Sequence, residues 1–335
     1  MCKRHDAYRW ICGGVEVNYH TLSDFRVGHE RALDELFTQM LGVMAAGDLV
    51  TLSRVAQDGT RVRASAGAAS FRREQRLEQW LSVAREQVEH VKRLADDPTV
   101  TVRERKARER AARERTARLE QAAAELQKIQ ASKSDEADRR KARASVTDPE
   151  ARVMKMPDGG FRPAYNVQFA STTEERVIVG VAVSNVGSDA GEVKPMLEQQ
   201  QERLGEKPSE VLVDGGYAPR QTVDELARDP ASTEVTLYAP VPEPKDPTRD
   251  RYTPREGDSA PVAQWRQRMG TEEAKAIYKQ RASTAEWVNA SIKCRQALQL
   301  GVRGLGKVRQ VVLLAALAHN VCRYMALAGN AAAVV

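Results

Sequence analysis

Residues 209–216 read SEVLVDGG, a short apolar run of Val211, Leu212 and Val213 that ends in Asp214 and two glycines. A β-branched run bounded by polar residues and glycine reads as a buried strand. An acid at its C-terminal end stands where α/β sheets present their functional groups. The flanks extend the same reading. Upstream, FRPAYNVQFAST (161–172) and RVIVGVAVSNVG (176–187) are β-branched and aromatic and form a hairpin around Thr173, Glu174 and Glu175. GEVKPMLEQQQERL (191–204) then has helical spacing. Downstream, 219–228 reads as a short helix and EVTLYAP (234–240) as another strand. Strand, strand, helix and buried strand in this order make an α/β layer.

Farther upstream, LVTLSRVAQDGTRVRA (49–64) alternates apolar and polar residues, and its Asp-Gly pair predicts a strand or hairpin with Asp58 at the tip. Between this segment and the sheet, residues 71–145 have another texture, rich in Arg, Glu, Ala and Leu. Leu77, Trp80, Ala84, Val88, Val91 and Leu94 form one helical stripe, which Asp96-Asp97-Pro98 stops. Ala112, Leu119, Ala122, Leu126 and Ile129 form a second. Two antiparallel helices in a coiled-coil-like hairpin follow. Its second helix carries eight basic and three acidic residues between Arg103 and Arg118, which suits either a phosphate backbone or a solvated coiled-coil face.

The chain begins with a segment, 1–48, that reads as helices, with Leu33, Leu36, Met40 and Val43 as its apolar stripe. Six prolines between 240 and 261 predict an ordered but irregular loop, and helices at about 271–298 and 305–328 close the chain. In the first of these, Glu286 lies seven residues from both Lys279 and Lys293, near one helix face, with Tyr278 close by. A carboxylate between lysines can hold a metal while the lysines meet phosphates. It can equally belong to an exposed ion-pair ladder.

Composition narrows the function classes. The chain has 335 residues, 41% of them hydrophobic, and a net charge of +6, a mild bias toward polyanionic partners. Its four scattered cysteines form no C-x-x-C pair and exclude a disulfide-stapled fold. Cys2, His5, Cys12 and His20 have no usual zinc spacing, so ordinary packing is expected of them. Met1 to Trp10 is too polar for a signal peptide, and VVLLAALAHN (311–320) is short for a membrane span. A cytoplasmic protein with no membrane partner is expected.

Three acids, on a first strand, on a central strand and on a late helix, are what two-metal phosphoryl transfer requires. Four segments carry this pattern: VAQDGTRVRASAGAASFR (55–72), TDPEARVMKMPDGGFRPAYNVQFA (147–170), VLVDGGYA (211–218) and YKQRASTAEWVNASIK (278–293). With them the chain resembles DDE-type transposases of bacterial insertion sequences over nearly its whole length.

The resemblance implies an α/β fold, an RNase H-like mixed sheet with flanking helices at 49–64 and 146–298. The charged helical hairpin at 71–145 would be inserted in it, a helical remnant at 1–48 would precede it, and the helix at 305–328 would pack on it. It implies Asp58, Asp214 and Glu286 as catalytic, metal-binding residues for Mg²⁺, with Mn²⁺ able to substitute. Tyr278, Lys279, Arg281 and Lys293 would contact DNA. The implied partners are double-stranded DNA, both transposon ends and target, and a second copy of the chain on that DNA. Arg281 and Glu286 are separated by four residues, one more than the commonest form of the family's signature, which leaves the arginine's role open. Relatives carry a further helical, DNA-binding region ahead of HDAYRWICGG (5–14). A truncated reading frame with an intact catalytic core is therefore expected. A simple RNase H-like nuclease and a non-transposing DNA-binding protein are the alternatives.

Overall fold

The computed structural model describes residues 5–93, 101–218, 220–229, 234–246, 248–294 and 298–332. The notional stop signal Asp96-Asp97-Pro98, with Leu94, lies outside them, as do Cys2 and Pro247. Three helices open the chain: α1 (Asp6–Ile11), α2 (Tyr19–Gly28) and α3 (Glu30–Ala46). The face that α3 buries is Leu33, Phe37, Leu41 and Met44, while Leu36 and Val43 stay exposed. The expected stripe through Leu36, Met40 and Val43 is thus turned by one residue. Phe37, left out of it, is the largest apolar side chain of the helix and takes the centre of the contact.

The strand β1 (Arg54–Arg63) runs unbroken through Asp58-Gly59. This corrects the hairpin expectation: Asp58 lies in mid-strand, because β1 is paired along its length with β5 and the pair never needs to turn at that point. After the short β2 (Phe71–Arg72) come α4 (Glu74–Arg93), α5 (Val102–Ala131) and α6 (Glu136–Lys141), and β3 (Ala144–Ser145) returns to pair with β2. The two long helices bury heptad positions, Leu77, Ala84 and Val91 on α4 against Ala112, Leu119 and Leu126 on α5. Contacts between Arg115 and Gln87, Arg85 and Glu120, and Gln130 and Glu74 run in opposite directions along the two chains, so the helices are antiparallel. At the neck, Ser70 and Ser145 share a hydroxyl contact of 2.7 Å.

The sheet resumes with β4 (Arg152–Lys155), β5 (Phe161–Thr172) and β6 (Ile178–Ser184). Then follow α7 (Val193–Leu204), β7 (Glu210–Leu212), α8 (Arg220–Arg228) and β8 (Thr236–Tyr238). The helices α9 (Ala260–Gly270), α10 (Glu272–Cys294) and α11 (Leu305–Ala332) complete the fold. Of these, α9 falls where only irregular loop was expected; Ser259 caps it and Pro261 occupies its first turn, so proline there starts a helix rather than prevents one.

In the sheet, β4 and β6 pair antiparallel with β5, β5 antiparallel with β1, β1 parallel with β7, and β7 parallel with β8. This mixed sheet with flanking helices is RNase H-like. The helix α11 is longer than the apolar stretch at 311–320 suggested: Leu305–Gly329 is apolar and long enough to cross a membrane by length and composition. Here it serves as a core helix, burying Val308, Val312, Leu313 and Ala316. Asn320 of α11 also hydrogen-bonds both the N–H and the C=O of Ile178, satisfying a strand that is open on that side.

Candidate active site

The parallel pairing of β1 and β7 sets Val55 opposite Val211 and Ala56 opposite Leu212. Two residues further along each chain stand Asp58 and Asp214. Asp58 is still on β1, while Asp214 lies two residues past the last paired residue of β7. Because β7 ends at Leu212 while β1 continues to Arg63, the edge of β1 beyond this point is free of a parallel partner. A cleft of about 700 Å³ opens there.

Asp58 is held from the facing helix α10. Arg281 donates to Asp58 Oδ1 at 2.8 Å and Asn289 Nδ2 to Asp58 Oδ2 at 2.9 Å. The same guanidinium nitrogen lies 3.7 Å from Asp214 Oδ2. The two carboxylate oxygens are therefore no more than 6.5 Å apart, the two distances laid end to end. Burial pushes the Asp58 carboxyl above the usual carboxylate range; Arg281 opposes the shift and Asp214 adds to it.

The backbone at Gly59, on the opposite face, touches a second polar group. A Cβ at that position would meet Gln168 Nε2 at 2.5 Å, Asp189 Oδ1 at 2.7 Å and the Tyr217 hydroxyl at 2.9 Å. Asp189 accepts from Arg61, Asn166 and Gln168. Burial alone would raise its carboxyl, but these hydrogen bonds outweigh it and hold the group below the usual range. Asp189 is a satisfied structural acid that fixes β1 and β5 behind Asp58. Sequence reasoning passed over it because its partners come from two other segments, Arg61 from β1 and Asn166 and Gln168 from β5.

Glu286, Asn289 and Lys293 line the cleft from α10, and Lys155 and Met156 line it from the β4–β5 turn. Glu286 is exposed in its wall. Arg281, expected on DNA phosphates, faces the two aspartates with only 17% of its side chain exposed. Tyr278 is half-buried beside it, and burial raises its hydroxyl. Lys279 is exposed. Asn289 was missed, although its position three residues after Glu286 puts it on the neighbouring helix face.

Among the described residues no group of three His, Cys, Asp or Glu side chains is gathered closely enough to hold a metal as it stands. The chemistry of the donors nevertheless suits a hard cation: Asp58 and Asp214 offer carboxylate oxygens side by side, and a cationic nitrogen already occupies the space between them. The buried Asn289 Oδ1 has no hydrogen-bond partner, a further oxygen next to Asp58 with unmet capacity.

Residues 244–325 match the family model described as a transposase DDE domain. The matched segment is thus similar to the DDE domain of transposases, over about a quarter of the chain. The match contains α9, α10 and most of α11, with Tyr278, Arg281, Glu286 and Lys293, and does not extend to Asp58 or Asp214. Searches of curated proteins and of solved structures gave no match. The matched family implies DNA as its substrate and generally uses divalent metal ions.

Proposed function

We propose that the chain is a DDE-type transposase that cuts DNA and joins the released end to a target, through Asp58, Asp214 and Glu286. The observation that carries the reading is that Arg281 of α10 lies against both Asp58 and Asp214, just beyond the paired residues of β1 and β7, while Glu286 of the same helix lines a cleft together with Asp58. Asp58 and Asp214 would hold Mg²⁺, or Mn²⁺ in its place, and Glu286 would complete the set. When bound, the metal supplies Lewis acidity, easing deprotonation of an attacking water or 3′-hydroxyl and neutralising charge on the leaving oxygen.

The chain's own groups do the rest. Lys155 and Lys293, on opposite walls of the cleft, attract the phosphate backbone and set its path past the acids. Lys279 and Tyr278 extend that surface along α10. Asn289 orients Asp58 through Oδ2, and the Asp189 network keeps the strand beneath it rigid. Joining two ends of one element calls for two copies of the chain on the DNA.

A strand-transfer assay with precleaved ends, a target plasmid and Mg²⁺ separates this reading from its neighbours. Joined products are expected, and they should be lost in Glu286→Gln. Hydrolysis without joining would make the chain a nuclease of the same fold, and DNA binding without either reaction would make it a binding protein.

A further inference from the structure

Two carboxylates at the spacing of adjacent strands, about 4.8 Å, repel one another unless a cation lies between them. In this fold Arg281 supplies that cation. Its Nη2 reaches both Asp58 Oδ1 and Asp214 Oδ2, and its side chain is largely withdrawn from solvent. We propose that Arg281 is a resident counter-cation of the aspartate pair, which an incoming divalent metal ion must displace. The inference rests on the reading of Asp58 and Asp214 as metal ligands and adds to it a residue that governs when the site loads.

Three features support exchange rather than coexistence. Both oxygens of Asp58 already accept a hydrogen bond, Oδ1 from Arg281 and Oδ2 from Asn289, so a metal must share each oxygen's remaining lone pair with a donor already in place, and on Oδ1 that donor is a cation. A magnesium ion about 2.0–2.1 Å from Oδ1 would also lie within a few ångströms of the guanidinium, and two cations that close in a partly buried site repel strongly. Arg281 is moreover incompletely satisfied where it sits: its Nε is buried and has no hydrogen-bond partner. The pair is held by charge more than by a full set of hydrogen bonds, which favours release once a stronger charge arrives. Of the two donors Arg281 is the one to go, since Asn289 is neutral and its unpartnered Oδ1 can turn toward the metal. The freed guanidinium, on a helix that lines the cleft, then becomes available to a DNA phosphate.

The test uses the full chain without DNA and reads Mn²⁺ binding by the loss of free-ion paramagnetic signal. Wild type, Arg281→Gln, Arg281→Lys and Asp58→Asn are titrated, and their melting temperatures are followed in chelator and in Mn²⁺. Arg281→Gln is expected to bind Mn²⁺ about tenfold more tightly than wild type. It should also melt lower in chelator and gain more on adding metal. Arg281→Lys, which keeps the charge on a different reach, should fall between the two, and it carries the test if the glutamine variant does not fold. Asp58→Asn should bind no Mn²⁺. Unchanged or weaker binding in the Arg281 variants, with binding still lost in Asp58→Asn, overturns the counter-cation and leaves the metal site standing. Binding absent from wild type and from every variant overturns the metal site and the counter-cation with it.

Discussion

Asp58 and Asp214 stand side by side because the chain pairs β1 with β7 in parallel: each follows the Ala56–Leu212 pair by two residues, and one arginine, Arg281, touches both carboxylates. Under the proposed function, the relationship ties catalysis to strand pairing. A slip of one residue between β1 and β7 would turn one aspartate to the opposite face of the sheet.

Gly59 is the position that makes this register tolerable, since no side chain fits between β1 and the Gln168, Asp189 and Tyr217 groups. Gly59→Ala should destabilise the domain by about 1–3 kcal/mol, the usual cost of forcing atoms into a filled site. Chemical denaturation of the two proteins checks it. A variant as stable as wild type would mean that the polar network moves aside freely.

The inserted hairpin leaves and rejoins the sheet at one neck, where β2 pairs with β3 and Ser70 meets Ser145. Replacing residues 74–142 by a short glycine-serine linker should therefore leave a cooperatively folding sheet domain. DNA affinity should fall, and lose part of its salt dependence, if the basic run from Arg103 to Arg118 meets phosphates. Denaturation followed by circular dichroism and a salt series of gel shifts read the two halves. Failure of the shortened chain to fold would make the hairpin part of the core.

Asp148 is fully buried, accepts from Tyr165 at 2.7 Å and from the Gly304 N–H at 3.1 Å, and has an unpartnered Oδ2. Burial raises its carboxyl above the usual range, against the pull of the Tyr165 hydrogen bond. An acid whose folded value is raised favours the folded state while protonated, and that contribution is lost as pH rises through the folded value. Asp148→Asn cannot ionise, so its melting temperature should improve relative to wild type as pH goes from acid to neutral. A difference that is constant with pH, or that moves the other way, would contradict the burial argument.

The sequence carries the sheet plainly where chemistry is local. The β5–β6 hairpin is written in alternating β-branched residues around Thr173-Glu174-Glu175, and the antiparallel helices α4 and α5 in their heptad stripes. It misleads where tertiary pairing overrides a local signal: Asp58-Gly59 has turn chemistry, yet β5 holds it straight for the whole of β1. Asn289 and Asp189 stayed hidden for a related reason. Nothing in the residues around them announces that one will orient Asp58 and the other will gather Arg61, Asn166 and Gln168 from distant segments.

The central claim is that Asp214 and its partners hold the metal that cuts DNA, and Asp214→Asn tests it most directly, because it keeps the side chain's size and removes its charge. Nicking of supercoiled DNA in Mg²⁺ or Mn²⁺ should vanish. Gel shifts on the same preparation should show DNA binding retained or slightly strengthened, since negative charge has left a surface that meets phosphates through separate basic groups. Nicking at the wild-type rate would contradict a catalytic Asp214, and joint loss of nicking, binding and folding would assign it to structure instead.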